Sequence, residues 1–282
     1  MNEDQKWDIH IKPKIGWFEI DIKELFNYKD LIWLFVKRDF VTFYKQTILG
    51  PLWYIIQPLI NTIVFTIIFG NLAKIPTDNL PPFLFYMAGN IIWGYFAFCL
   101  NSISTTFVTN ADLFGKVYFP RIAVPISITI IGLFQFILQF IFFICFYIYF
   151  VSKGLDIKVS YSILFLPLIL FQIALVALGF GLLISSLTSK YRDLVFVLGF
   201  GIQLWMFATP IVYPLTIIPD NYVIFSILNP MTSIVECFKY IFFNESSIKF
   251  AHILLSCLIT LIVFVLGIVV FYRTEKNFLD TV

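Results

Sequence analysis

Six stretches of this chain, residues 52–73, 79–111, 122–152, 159–189, 194–219 and 250–272, contain no Asp, Glu, Lys or Arg. A helix needs about 20 apolar residues to cross the hydrocarbon of a bilayer, and each stretch reaches that length. Lipid offers no partner to an exposed peptide group, so a spanning segment must satisfy its own backbone, as a helix does. The expectation is an all-α polytopic membrane protein with six transmembrane helices. The same emptiness excludes function classes. Proton relays, ion pathways and most intramembrane catalysis need ionisable groups inside the spans. A chain without them has to draw its energy from elsewhere.

Charge placement orients the spans. Lys and Arg number eight in residues 1–50 and recur as Lys116 with Arg121, Lys190 with Arg192 and Arg273 with Lys276. The alternate segments hold only Lys74, Lys153, Lys158, Lys239 and Lys249. By the positive-inside rule the first set is cytoplasmic, with both termini, and an even number of spans follows. The expected organisation is a cytoplasmic N-terminal segment over 1–50, a six-span domain over 51–273 and a cytoplasmic tail over 274–282. The expected setting is a membrane crossed several times with both termini on the cytoplasmic side. Residues 1–50 also carry eight acidic groups, so they are a mixed-charge segment and not a polybasic arm, and no nucleic-acid partner is expected. Met1–Ile15 lacks an apolar run, so no cleavable signal peptide is expected.

Other chemistry is missing by motif. There is no G-x-x-x-x-G-K-[ST] loop to cradle ATP, and no His, Cys and carboxylate cluster at metal-ligand spacing. No cofactor or metal is expected on this chain, and no catalytic residue. Cys99, Cys145, Cys237 and Cys257 lack C-x-x-C spacing and read as small apolar groups. His252 with Ser256 lacks both a G-x-S-x-G elbow and an orienting carboxylate, which argues against a hydrolase. Glu236 and Lys239, at i and i+3, read as a local helix pair.

Before the first span, a helix signal begins at Asp21 as N-cap, with Glu24 three residues on. Leu25, Phe26, Trp33 and Val36 alternate in helical rhythm with Lys29, Asp30, Lys37, Arg38 and Asp39. The expectation is an amphipathic helix of the membrane interface, the other reading being a helix packed on a soluble partner domain, with Tyr44 and Lys45 near its end, and Gly50-Pro51 breaks it. The second stretch carries Asn90, Asn101, Ser102, Ser104, Thr105, Thr106 and Thr109, polar groups suited to facing other helices or a wet cavity. Gly179, Gly181 and Ser185 in the fourth allow close helix approach. Tyr222–Leu228 and Met231–Phe243 are too short to cross and are split by Asn229-Pro230, which suits short re-entrant helices between spans five and six.

The aromatics Trp53, Tyr54, Tyr86, Trp93, Tyr95, Trp205, Tyr213 and Tyr222 admit two readings. One is the Trp/Tyr belt of the membrane interface. The other is a conduit lining, since flat amphipathic rings pack on sugar faces. Asn229, Pro230 and Glu236 join them as candidate gate residues.

Five stretches in this order resemble one family. They are Arg38-Asp39 with Tyr44-Lys45-Gln46-Thr47-Ile48-Leu49-Gly50-Pro51-Leu52-Trp53 and Gln57-Pro58; Asn110-Ala111-Asp112-Leu113-Phe114-Gly115-Lys116 with Phe119-Pro120-Arg121 and Pro125; Tyr191-Arg192-Asp193; Thr209-Pro210-Ile211-Val212-Tyr213-Pro214; and Asn229-Pro230-Met231-Thr232-Ser233-Ile234-Val235-Glu236. Over residues 20–275 the chain resembles the permease subunits of type-2 ABC exporters for polysaccharides and polyol phosphates, the carriers of O-antigen, capsule or teichoic acid. Lys45-Gln46 departs from the more basic pair common in that family.

The resemblance implies a homodimer of this chain with two copies of a separate ABC ATPase, which would bind ATP and Mg, and a lipid-linked glycan moving between the two permeases. It implies that residues 110–121 are the ATPase-coupling segment, with Asp112 and Lys116 offering one charge of each sign. Leu113, Phe114, Phe119, Pro120 and Arg121 complete it, and Phe114 and Phe119 are expected to anchor apolar contacts on the partner. The 222–243 helices are expected to form an outer gate, with Glu236 near its mouth. Two alternatives stand beside this reading: a type-2 permease for a drug or simple lipid, and a membrane-embedded glycan-modifying enzyme.

Overall fold

The computed structural model describes residues 22–45, 50–154, 161–244 and 248–278. The expected irregular leader over 1–20 and the Asp21 cap lie outside the described residues. Among those described, every regular element is helical. Two helices precede the bundle, α1 (Ile22–Asn27) and α2 (Lys29–Lys45). A short turn at Gly50–Leu52, where Gly50 takes a φ of +50°, leads into α3 (Trp53–Phe65). Only a residue without a Cβ adopts that φ cheaply, which is how Gly50-Pro51 redirects the chain. α3 continues through a π-helical stretch, Thr66–Leu72.

α4 (Pro82–Ser104) opens with Pro at its first position, where the missing N–H costs nothing. Two short helices follow, α5 (Thr106–Thr109) and α6 (Ala111–Lys116), then α7 (Ala123–Ser152). A 3-10 turn at Tyr161–Phe165 runs into α8 (Leu166–Thr188). α9 is Leu194–Phe207, and α10 (Asp220–Leu228), α11 (Pro230–Phe243) and α12 (Phe250–Phe278) complete the chain.

Among the described residues, five helices are long and apolar enough to cross a membrane: Trp53–Leu72, Pro82–Ser104, Ala123–Ser152, Tyr161–Thr188 and Phe250–Glu275. The chain is a multi-pass membrane protein. The fifth span, expected to start at 194 and to end over 208–214, is a helix only as far as Phe207. α9 has 14 residues, a rise of about 21 Å against a hydrocarbon core of about 30 Å. Pro210 and Pro214 favour the stop, because two prolines in five residues each lack the N–H of a helical bond and bias the residue before them away from helical conformation. Thr209 Oγ1 turns back onto the Trp205 carbonyl at 2.9 Å, taking up one acceptor of that frayed end.

α4 is the axis of the bundle. Of its most apolar stretch 78% is buried, against 6% for Trp53–Leu72 at the periphery. Burial accounts for part of the polar composition of the second charge-free run, since Asn90, Ser104 and Thr106 are buried while Asn101 and Thr109 are exposed. Asn90 Nδ2 donates to Thr62 Oγ1 on α3 at 3.1 Å, and Ser104 and Thr106 are buried where α4 ends. Thr188 Oγ1 donates to the Ser104 carbonyl at 2.6 Å, tying the last turn of α8 to the last turn of α4. On α8, a Cβ at Gly181 would come within 2.6 Å of Ile103, so α4 and α8 meet as closely as that glycine allows.

Candidate functional site

Lys116, Arg121, Lys190, Arg192 and Arg273 flank the ends of α6, α7, α8, α9 and α12, which the contacts below and the Thr188–Ser104 bond gather at one end of the bundle. At this basic end lies the segment expected to couple to a partner. Thr105 breaks the helical run after α4, and Asn110 closes α5 by donating Nδ2 to the Thr106 carbonyl at 3.0 Å. Its own carbonyl accepts from Leu113 and Phe114 at 3.1 and 3.0 Å and so starts α6. Asp112 sits in the first turn and Lys116 in the last, each at the end its charge favours. Both are exposed, one turn apart on one surface.

Phe114 and Phe119 face inward, 4% and 5% exposed, so the expectation that they anchor a partner is corrected. The apolar groups this surface presents are Val117 and Tyr118, 54% and 73% exposed, which the sequence reading missed. The inward rings form a continuous line. Phe35 of α2 meets Phe119 at 5.6 Å between centroids, Phe119 meets Phe114 at 5.8 Å, Phe114 meets Phe107 at 5.9 Å, and Phe107 stacks on Phe271 of α12 at 4.7 Å. Leu113 and Pro120 are half-buried beside them. Arg121 is buried, with its guanidinium over the Phe114 ring at 5.4 Å and hydrogen bonds to Glu275. Burial pulls its pKa down and Glu275 opposes the shift; a guanidinium starts high enough to stay charged.

α2 carries two apolar stripes rather than one. Phe35 and Val36 are buried, and α2 packs along α7, where Phe40 meets Phe134 at 5.7 Å. Phe26, Trp33 and Leu34 face outward. The single face expected from Leu25, Phe26, Trp33 and Val36 is therefore divided, with Leu25 and Val36 toward the bundle and the other two away from it. Arg38 Nε donates to Asp39 at 2.6 Å and its guanidinium lies over Phe35 at 5.0 Å, while Lys37 and Lys45 are exposed. The side chain of Tyr44 lies outside the described residues.

The candidate conduit and gate residues separate into three places. Trp53 is exposed and Tyr54 half-buried on the peripheral α3. Tyr86 is buried between Phe65 and Phe85 at 6.3 and 5.5 Å. The third group is a polar and aromatic knot. Trp205 meets Phe180 at 4.9 Å, Phe96 at 5.1 Å and Trp93 at 6.4 Å. Its indole N–H donates to Asn229 Oδ1 at 3.1 Å, and Asn229 Nδ2 donates to Thr209 Oγ1 at 2.9 Å. The same Oδ1 accepts from the Met231 N–H at 3.1 Å and caps α11, whose first residue is Pro230. Trp93 lies mid-helix and buried, so the interfacial-belt reading does not hold for it. Tyr213 donates its hydroxyl to the Phe207 carbonyl at 3.0 Å.

Glu236 is 4% exposed and pairs with Lys239, 3% exposed, at 3.4 Å. The local pair is present, and the carboxylate is buried against Lys239 and not open at the surface. Lys239 Nζ donates to the Pro210 carbonyl at 2.7 Å and lies 3.7 Å from the Phe85 ring centroid. One buried ammonium thus joins α11, the turn after α9 and the start of α4. Ser233 is also buried and donates to the His252 carbonyl at 3.2 Å.

A model of the family described as ABC-2 type transporter matches residues 30–243. The chain is 26% identical over 234 residues to the O-antigen export system permease protein RfbA of Myxococcus xanthus, covering 79% of this chain and 84% of that protein. It is 25% identical over 255 residues to an O-antigen export system permease protein RfbA of Klebsiella pneumoniae, covering 89% of this chain and 94% of that one.

Proposed function

The chain belongs to the ABC-2 type transporter family as a permease component, and from that premise we propose that it forms the membrane path of an ATP-driven exporter for a lipid-linked polysaccharide. The observation that carries this reading is the segment 106–121. It is held from beneath by buried rings and a buried arginine, and it presents Asp112, Lys116, Val117 and Tyr118 to whatever lies beyond the basic end. A charged pair beside an exposed aromatic and a valine is the composition of a docking surface whose anchor is Tyr118. The partner is an ABC ATPase, two copies with two of this chain, and ATP and Mg belong to it. The uncharged helices suit a long hydroxylated cargo that slides without pairing to fixed charge.

In this reading the basic end is cytoplasmic, as are both termini, in a bacterial inner membrane. α9 with the turn through Pro214 makes the sixth crossing, since an even number returns α12 to the basic side. The relatives named for O-antigen export support a glycan over a drug or simple lipid.

The test is charge reversal, Asp112→Lys with Lys116→Asp. Both side chains are exposed, so the protein is expected to insert at normal levels while co-purifying ATPase and surface glycan are lost. Undiminished export by that variant would sink the docking reading.

A further inference from the structure

The Arg121 backbone N–H donates to Glu275 Oε1 at 3.1 Å, and Arg121 Nη1 donates to the Glu275 carbonyl at 2.7 Å. Glu275 lies in the last turn of α12, and a buried guanidinium sits at the negative end of that helix's dipole. Phe271 lies one turn earlier on the same face of α12 and stacks on Phe107 at 4.7 Å. The segment 106–121 therefore grips one face of α12 through a charged clasp and a ring stack.

The far end of α12 is tied as firmly. Ser256 Oγ donates to the Pro230 carbonyl at 3.0 Å, Gln172 Nε2 donates to Ser256 Oγ at 2.8 Å, and the His252 carbonyl accepts from Ser233. Ser256 and Glu275 lie about 28 Å apart along the helix. We propose that Glu275 is a positioning residue. By clasping Arg121 it fixes the 106–121 segment to α12, so that displacement of the segment moves α12 as a strut and reaches the α10–α11 pair through Ser256 and His252. The inference rests on the docking reading above.

Three readouts test it. In the chain alone, Arg121→Ala is expected to speed trypsin cleavage after Arg273 by loosening the end of α12; unchanged cleavage overturns the clasp, whatever the partner. In the assembled permease–ATPase complex, Glu275→Ala is expected to leave ATP hydrolysis near normal while surface glycan per complex falls ~10-fold, the size of a typical coupling between sites. Glu275→Gln keeps an oxygen for the Arg121 N–H and is expected to export nearly as the parent does. Arg121→Ala removes the bond to the Glu275 carbonyl and Glu275→Ala the bond from the Arg121 N–H, so the pair, losing both, is expected to export less than either variant alone. Hydrolysis and export falling together, in proportion to the amount of complex, would overturn the strut. Failure of the docking reading shows separately, as normal export by the Asp112 and Lys116 reversal.

Discussion

Gly179 and Gly267 bring the backbones of α8 and α12 into direct contact. A Cβ on Gly267 would lie 2.5 Å from the Gly179 carbonyl oxygen, and one on Gly179 would lie 2.8 Å from the Phe264 nitrogen. Between membrane helices such approach supplies the packing that hydrophobicity cannot, because lipid is as apolar as the partner helix. Both neighbours are backbone, so neither yields by rotating a side chain. Gly267→Ala is expected to cost at least about 1–3 kcal/mol, as overpacking does. Thermal unfolding in detergent measures it. Gly199→Ala, inside α9 with open space around the new methyl, is the control and should not lower the unfolding midpoint.

Removing Lys239 alone strands a buried carboxylate. Lys239→Met is expected to cost about 3–5 kcal/mol, the range for breaking a buried pair from one side. Glu236→Gln added to Lys239→Met is expected to recover a large part of that loss, because no charge is left unpaired. A double-mutant cycle on unfolding midpoints decides it, and additive losses would show that the pair does not act as a unit.

Asn229 serves an indole, a threonine and a helix start at once. Asn229→Leu is expected to cost about 1–3 kcal/mol by leaving the Trp205 N–H without its acceptor and α11 without its cap. Trp205→Phe keeps a ring among Phe96, Phe180 and Trp93 and should cost less than Trp205→Ala, for which about 3–5 kcal/mol is expected. If the two Trp205 variants unfold together, the ring contacts are not what the site depends on.

Phe114 and Tyr118, four residues apart, are expected to fail in different ways. Phe114→Ala opens a cavity in the line of rings and should lower the unfolding midpoint. Tyr118→Ala, at a side chain 73% exposed, should leave unfolding unchanged and weaken ATPase co-purification. Equal loss of stability in both variants would count against the division between inward and outward rings.

Some of the site was readable from local chemistry. Asn229-Pro230 announces a break between two short helices, and the structure starts α11 there with Asn229 as its cap. Gly179 and Gly181 announce close approach, and α12 and α4 come close there. Glu236 and Lys239 announce a pair by spacing, yet spacing says nothing of depth, and the pair is buried. Phe114 beside Asp112 and Lys116 looked like part of an exposed surface, because a six-residue helix has too few positions to reveal which side is covered. Glu275 carried no signal at all, lying 154 residues from the Arg121 it serves.

The sequence by itself determined that this chain is helical, apolar and multi-pass. Absence of charge over twenty or more residues leaves a backbone in lipid no other economical way to satisfy its peptide groups. It also marked two of the interruptions, Gly50-Pro51 and Asn229-Pro230, since glycine, proline and asparagine act on their own dihedrals. Only the tertiary structure decided which aromatic rings face inward, which charges are buried and which helix the basic-end segment grips. In a soluble helix the polar face names the outside, but here lipid and core accept the same side chains. The facing of each ring was settled by the neighbour that happened to cover it.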